Sequence, residues 1–119
     1  MKFADRAVAT RKGEELATER LAPLLIAKIP GLRGPLETRQ FPSGFSNLTY
    51  LLRFANRDLV LRRPPHGTKA ETAHDMQREY RVLKALKPHY DACPQALFYT
   101  DDGAVIGSPF YVMERIRGV

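Results

Sequence analysis

Apolar residues recur at helical spacing in the first part of the chain. The positions that share one helix face are Leu16, Leu21, Leu24, Leu25 and Ile29. Pro30-Gly31 ends this pattern, while Pro23 lies inside it and indicates either a kink or a second helix start. The pattern therefore predicts an amphipathic N-terminal helix over residues 14–29.

Three short segments with the composition of β-strands follow this helix. They cover residues 36–41, 47–54 and 59–63, with turn signals at Pro42-Ser43-Gly44 and at residues 55–58. Pro64-Pro65 ends the third segment, because proline cannot keep donating to a strand ladder. The sequence here predicts a meander of antiparallel strands.

The clearest helical pattern covers residues 71–87 and ends at Pro88. Its predicted apolar stripe consists of Met76, Tyr80, Leu83 and Leu86. The predicted outer face carries Arg78, Arg81 and Lys84. Two further strands are predicted over residues 96–99 and 108–116, with Asp101-Asp102-Gly103 as a tight turn between them.

The order of these elements predicts the fold class. An uninterrupted meander builds an antiparallel sheet and not a doubly wound parallel one. We therefore expect an α+β protein with a five-stranded antiparallel sheet, covered by one main helix and preceded by the N-terminal helix.

Composition narrows the class of protein. A chain of 119 residues, 44% of them hydrophobic, is typical of one small globular domain. Cys93 is the single cysteine, which excludes an intramolecular disulfide and fits a reducing compartment, so we expect a cytoplasmic protein. No segment is typical of a signal peptide or a membrane span, and the histidines lack metal-ligand spacing, so we expect neither a membrane partner nor a bound metal.

The net charge of +6 favours an anionic partner. The basic residues are scattered, so a general basic surface and a focused anion site both remain open. No zinc finger, RNP-like aromatic motif or basic helix supports nucleic-acid binding, and we expect no nucleic-acid partner.

Residues with nucleotide-binding chemistry occur in order along the predicted elements. Gly44 lies in a turn where backbone N–H groups can approach phosphates. Arg62 on the third strand can neutralise phosphate charge, and Glu79 on the next helix can hold that cation in place. Because side chains alternate along a strand, Val60 and Arg62 share one face, where Val60 would contact a base.

This order resembles the N-terminal, ATP-binding lobe of the protein-kinase-like superfamily. It is most similar to the aminoglycoside phosphotransferase family, in its acyl-CoA-dehydrogenase-associated branch. The resemblance covers residues 36–118, and the segments that carry it are FPSGFSNLTY (41–50), LVLRRPP (59–65), REY (78–80) and YVMERIRG (111–118). It predicts an N-terminal helical extension over residues 1–35 and a kinase-like N-lobe over residues 36–119.

The resemblance implies a role for each candidate residue. Arg62 would contact the α- and β-phosphates of ATP and would be held by Glu79. The residues implied to shape the loop over the phosphates are Gly44, Ser46 and Asn47. Met113 would lie at the back of the adenine pocket, and Glu114 through its carbonyl and Ile116 through its N–H would bond the adenine edge. The complete domain would transfer the γ-phosphate of ATP to a hydroxyl of an unknown small molecule.

Two departures from the kinase pattern are visible. The loop contains a single glycine where kinases have G-x-G-x-x-G, so the loop alone is a weak signal. Arg62 stands where most kinases have lysine, and the planar, permanently charged guanidinium is not equivalent to an ammonium group. Arginine still binds phosphate in bidentate fashion.

The catalytic part of the family pattern does not occur in these residues. No His is followed by the Gly-Asp of an H-G-D-x-x-x-x-N loop, and Asp101-Asp102-Gly103 precedes the last strand, so no catalytic residue is predicted. We expect a truncated lobe that is inactive alone, with Mg²⁺ bound only together with the missing second lobe.

Simpler alternatives remain open for individual residues. Taken alone, Arg62 is also interpretable as an edge-strand charge, Glu79 as a surface acid that pairs with Arg78 or Lys84, and Met113 as core filling. The chain as a whole is also interpretable as a non-catalytic module for nucleotide or protein binding. In that case self-association would use an exposed apolar face at Phe110, Val112 and Ile116.

Overall fold

The computed structural model describes residues 9, 15–41, 48–64, 70–89 and 93–115, excluding the side chains of residues 70–74. Its elements in chain order are α1 (Thr18–Lys28), β1 (Glu37–Gln40), β2 (Leu48–Phe54), β3 (Arg57–Arg63), α2 (Ala70–Leu86), β4 (Ala96–Thr100), α3 (Gly103–Ile106) and β5 (Phe110–Glu114).

The strands form a five-stranded sheet in the order β1-β2-β3-β5-β4. Every neighbouring pair is antiparallel. The predicted fold class, an α+β protein built on such a sheet, is confirmed. β3 lies in the centre of the sheet, so the interpretation of Arg62 as an edge-strand charge is wrong.

Alternation along β3 divides the sheet into two faces. Leu59 and Leu61 point to one face, where they are fully buried with Leu21 and Leu25 of α1. We call this the α1 face. The apolar stripe predicted for the N-terminal helix therefore packs onto the sheet. α1 is one continuous helix with Pro23 inside it, and it begins later than the pattern predicted.

The opposite side of the sheet, the α2 face, carries Val60, Arg62, Tyr111 and Met113. α2 packs there against β4 and β5. Met76 in the helix is buried, as its place in the predicted stripe requires. The placement of Leu86 in that stripe is wrong, since its side chain is 39% exposed.

The connection between β4 and β5 is also different from the prediction. Asp101-Asp102-Gly103 does not form a tight hairpin turn, since Gly103–Ile106 is a short helix, α3. The carboxylate of Asp102 caps it by accepting from the N–H of Ala104 at 2.9 Å. Gly107 ends the helix with a φ of 88°, a conformation that favours glycine.

Candidate functional site

Arg62 and Glu79 meet between the sheet and α2. Nη1 of Arg62 lies 3.0 Å from Oε1 of Glu79, and the two side chains are 31% and 32% exposed. The alternative pairing of Glu79 with Arg78 has no support in these distances, because Arg78 lies 3.6 Å from Asp75 on the same helix. The structure thus brings together the basic strand residue and the acidic helix residue.

The sheet register explains how this pair forms. Arg62 on β3 lies opposite Tyr111 on β5, so both side chains rise from the α2 face at one level. α2 crosses above them, and Tyr80 contacts the ring of Tyr111 with centroids 6.3 Å apart. The neighbouring Glu79 is thereby held over the cationic end of Arg62.

Tyr111 completes the pair as a third member that the sequence did not reveal. Its hydroxyl donates to Oε1 of Glu79 at 2.8 Å, and Nη1 of Arg62 donates to the same hydroxyl at 3.5 Å. Burial raises the pKa of Tyr111 well above its ordinary value, and the hydrogen bond to Glu79 adds to this, although Arg62 opposes it. The phenol therefore keeps its proton at neutral pH and acts as a hydrogen-bond donor to Glu79.

One donor of Arg62 is left without a protein partner. Its Nε is buried and makes no hydrogen bond to any group in the described part of the chain. A buried donor without an acceptor costs about 1–3 kcal/mol. An incoming anion would remove that cost, so the guanidinium is suited to an anionic ligand.

An apolar surface lies beside this charged group on the α2 face. Val60 and Met113 face each other across β3 and β5, and Leu51 lies opposite Val60 on β2. These side chains cluster with Phe41. The face thus combines a mostly buried apolar cluster with a cation two residues beyond Val60 on β3.

The end of β5 is fixed by charged contacts. Oε1 of Glu114 accepts from the backbone N–H of Gln95 at 3.0 Å and lies 3.4 Å from Nζ of Lys87. Arg115 donates to Asp58 of β3 at 3.2 Å. The Glu114 side chain is therefore part of the scaffold, and the role predicted for its backbone carbonyl stays a prediction.

A shallow depression of about 600 Å³ occurs at the β2–β3 connection, away from Arg62. Four of its charged lining residues are already paired, since Arg57 lies 3.8 Å from Glu114 and Arg115 pairs with Asp58. We assign this depression to the structural network at the end of β5.

Several predicted residues cannot be placed. Gly44, Ser46, Asn47 and Ile116 lie outside the described residues. The apolar face predicted at Phe110 and Val112 is wrong for these two residues, which are fully buried on the α1 face. Alternation along β5 turns them toward α1 while Tyr111 and Met113 turn toward α2.

Two features of other classes of protein do not occur in the described residues. No helix among them is both long enough and apolar enough to cross a membrane. Within the same residues, no cluster of three or more His, Cys, Asp or Glu side chains is arranged to hold a metal ion.

Comparison with known proteins identifies the family. A sequence model of the phosphotransferase enzyme family matches residues 37–119. The chain belongs to this phosphotransferase family. A crystal structure of a candidate aminoglycoside phosphotransferase from Ralstonia eutropha superimposes with a TM-score of 0.72 at 32% identity, over 88% of this chain and 29% of that one. The kinase-like phosphotransferase fold expected from the sequence is confirmed.

Curated relatives specify the branch of this phosphotransferase family. Acyl-CoA dehydrogenase family member 10 of Mus musculus is 45% identical over 86 residues, which are 72% of this chain and 8% of that protein. Acyl-CoA dehydrogenase family member 11 of Gallus gallus is 44% identical over 85 residues, 71% of this chain and 11% of that protein. The acyl-CoA-dehydrogenase-associated branch is thus confirmed, and the chain spans about a tenth of these relatives' length.

Proposed function

We propose that the α2 face binds ATP, as the nucleotide-binding lobe of a phosphotransferase that transfers the γ-phosphate to a hydroxyl of a small molecule. The observation that carries this proposal is the contact of 3.0 Å between Arg62 and Glu79, made between the central strand and α2. A kinase-like fold uses a cation and an acid at these two places to hold the phosphates.

At the phosphate end of the proposed site, the protein holds the guanidinium of Arg62 from one side and leaves the other side for a phosphate. Glu79 engages Nη1 of Arg62, while the buried Nε has no protein acceptor among the described groups. A phosphate oxygen would supply that acceptor, and arginine forms such charge-assisted bonds with good directionality. In the proposed complex, Gly44, Ser46 and Asn47 cover the same phosphates with their loop.

At the base end, the apolar surface suits a purine ring. Val60 and Met113 are cross-strand neighbours and would contact adenine directly. The backbone carbonyl of Glu114 and the N–H of Ile116 would bond the polar edge of adenine. The charged contacts of the Glu114 side chain would keep that backbone segment at a fixed distance from the ring.

The reaction class follows from the family, and the acceptor is left unassigned. Mg²⁺ held by a second lobe would neutralise the negative charge of the phosphates during transfer. We propose that the residues of this chain orient the nucleotide, and that the catalytic base and the metal ligands belong to a second lobe. The 119 residues would then bind ATP without transferring its phosphate.

Replacing Arg62 tests the nucleotide site. We expect Arg62→Ala to weaken ATP binding at least about tenfold, since a hydrogen bond to a charged group contributes about 1.5–3 kcal/mol. Arg62→Lys should fall between alanine and the wild type, because it keeps the charge and loses the planar donor set. Isothermal titration calorimetry with ATP, checked by NMR chemical-shift mapping, measures both.

Arg78→Ala is the matched control for this experiment. Like Arg62→Ala, it removes one positive charge, but from a side chain of α2 that is 74% exposed and pairs with Asp75. We expect it to change the Kd for ATP by less than about twofold. Equal losses in Arg62→Ala and Arg78→Ala would indicate general charge attraction, and no binding by the wild type at millimolar ATP would contradict the proposal.

A further inference from the structure

We propose that Tyr111 is a positioning residue that fixes the Glu79 carboxylate and, through it, the guanidinium of Arg62. The contacts form a closed triangle in which Glu79 Oε1 accepts from Tyr111 at 2.8 Å and pairs with Arg62 at 3.0 Å. The remaining side of the triangle is the contact of 3.5 Å between Arg62 and the Tyr111 hydroxyl. In its effect on the nucleotide, this inference rests on the proposed function.

The ion pair alone would not hold a fixed geometry. Each of its side chains is about one-third exposed, and ion pairs at such exposure contribute little and exchange with water. Tyr111 is 1% exposed and belongs to a central region of the sheet. Its hydroxyl therefore offers the carboxylate a hydrogen-bond donor on a rigid element, which a mobile surface partner cannot do.

The direction of the hydrogen bond is fixed by charge. Burial raises the pKa of Tyr111, so the phenol keeps its proton and can only act as a donor toward the carboxylate. A carboxylate oriented in this way engages Nη1 of Arg62 from a defined direction. Because the guanidinium is planar, an anchor at Nη1 also restricts the direction of its other donors, including the buried Nε.

The ring and the hydroxyl of Tyr111 make different contacts, so their roles can be tested separately. The ring packs against Tyr80 of α2, and Tyr80 in turn contacts Tyr99 of β4 with centroids 5.7 Å apart. A purely structural role would use these ring contacts alone. Tyr111→Phe keeps the ring and removes the hydroxyl, so it tests the positioning role specifically.

The first test observes Arg62 directly and needs no nucleotide. In the wild-type chain, we expect the Nε–H resonance of Arg62 to be shifted and its hydrogen exchange with solvent to be slow. In Tyr111→Phe, that exchange rate should rise at least about tenfold. Tyr99→Phe removes a hydroxyl from the neighbouring strand and should leave the resonance unchanged. An unchanged Arg62 signal in Tyr111→Phe, or a Tyr111→Phe chain that does not fold, would overturn the proposal.

The second test is a double-mutant cycle on ATP affinity. We expect Tyr111→Phe to weaken ATP binding about threefold to tenfold in the wild type, and less than about twofold in a Glu79→Gln background. That non-additivity is expected if Tyr111 acts through Glu79. Equal effects in both backgrounds would refute the coupling. If the wild-type chain does not bind ATP, the proposed function fails, while the Arg62 resonance still decides the role of Tyr111.

Discussion

Two adjacent arginines on β3 have different environments because their side chains point to opposite faces. Arg63 is buried on the α1 face, where its Nη2 donates to the Tyr50 hydroxyl at 2.8 Å and its Nε donates to the same oxygen at 3.1 Å. Arg62 is partly exposed on the α2 face, and its Nε has no acceptor in the described part of the chain. Alternation along one strand thus gives one arginine a structural role and leaves the other suited to a ligand.

The raised pKa of Tyr111 predicts a loss of stability at alkaline pH. Its ordinary value is 10.0, and burial raises the folded-state pKa above that. Its stabilising contribution is therefore complete below about pH 10 and is lost as the pH rises toward the folded-state pKa. Above about pH 10, the wild-type chain should lose up to about 1.4 kcal/mol per pH unit more than Tyr111→Phe does.

Urea unfolding of both chains at several pH values between about 8 and 11.5 measures this difference. The comparison between the two chains cancels the titration of the other tyrosines and lysines, which both of them share. Parallel curves of unfolding free energy against pH for wild type and Tyr111→Phe would show that Tyr111 has the same pKa in the folded and unfolded states, which would contradict the prediction.

At the scale of elements, α1 is part of the same hydrophobic core as the sheet. Its buried residues Leu21 and Leu25 cluster with the inward residues of β2, β3 and β5. The segment after α1 is also bonded to the β2–β3 connection, since Asn56 donates to the carbonyl of Gly31 at 2.7 Å and accepts from the N–H of Arg33 at 3.0 Å. We therefore expect α1 to contribute to the stability of the lobe.

Truncating Leu25 tests this contribution. Its side chain is fully buried, so Leu25→Ala should lower the free energy of unfolding by about 2–5 kcal/mol. Ile26 on the same helix is 40% exposed, and Ile26→Ala should cost less than about 1 kcal/mol. Equilibrium denaturation of the two variants measures the difference, and similar losses in both would mean that α1 does not pack on the sheet as described.

Much of the fold was predictable from the sequence because the spacing of apolar and polar residues along the longer helices and strands indicates their buried faces. The alternation of Val60 and Arg62 against Leu59 and Leu61 predicted the two faces of β3, and the structure confirms it. The short helix α3 was missed, since four residues are too few to display a helical period. Tyr111 was missed because its contact with Glu79 depends on the pairing of β3 with β5, which no local pattern specifies.

In the molecule as a whole, the two faces of the sheet separate the main hydrophobic core from the proposed binding site. The α1 face holds most of the buried apolar residues, including Phe110 and Val112. The α2 face holds a smaller apolar cluster beside the group formed by Arg62, Glu79 and Tyr111. A sheet anchored on one side by α1 can present its other side to a ligand without giving up its core.

This division leads to a prediction for the isolated 119-residue chain. Phosphoryl transfer depends on positioning, on a base or water-orienting residue and on metal ligands, and in the proposed function the α2 face supplies only the first of these. The carboxylate of Asp102, in the segment Asp101-Asp102-Gly103, caps α3 by accepting from the N–H of Ala104. With ATP and Mg²⁺, we expect turnover at least about a thousandfold below the 1–100 per second that is typical of kinases.

The measurement must separate absent chemistry from absent binding. Release of phosphate or ADP from ATP would be followed on the same samples for which the Kd is determined, with a complete aminoglycoside phosphotransferase as the positive control. Traces of a contaminating kinase would give the same rate in wild type and Arg62→Ala, because the contaminant does not use Arg62. Turnover near the kinase range that disappears in Arg62→Ala would instead mean that these residues contain a complete catalytic site, and the assignment of catalysis to a second lobe would be wrong.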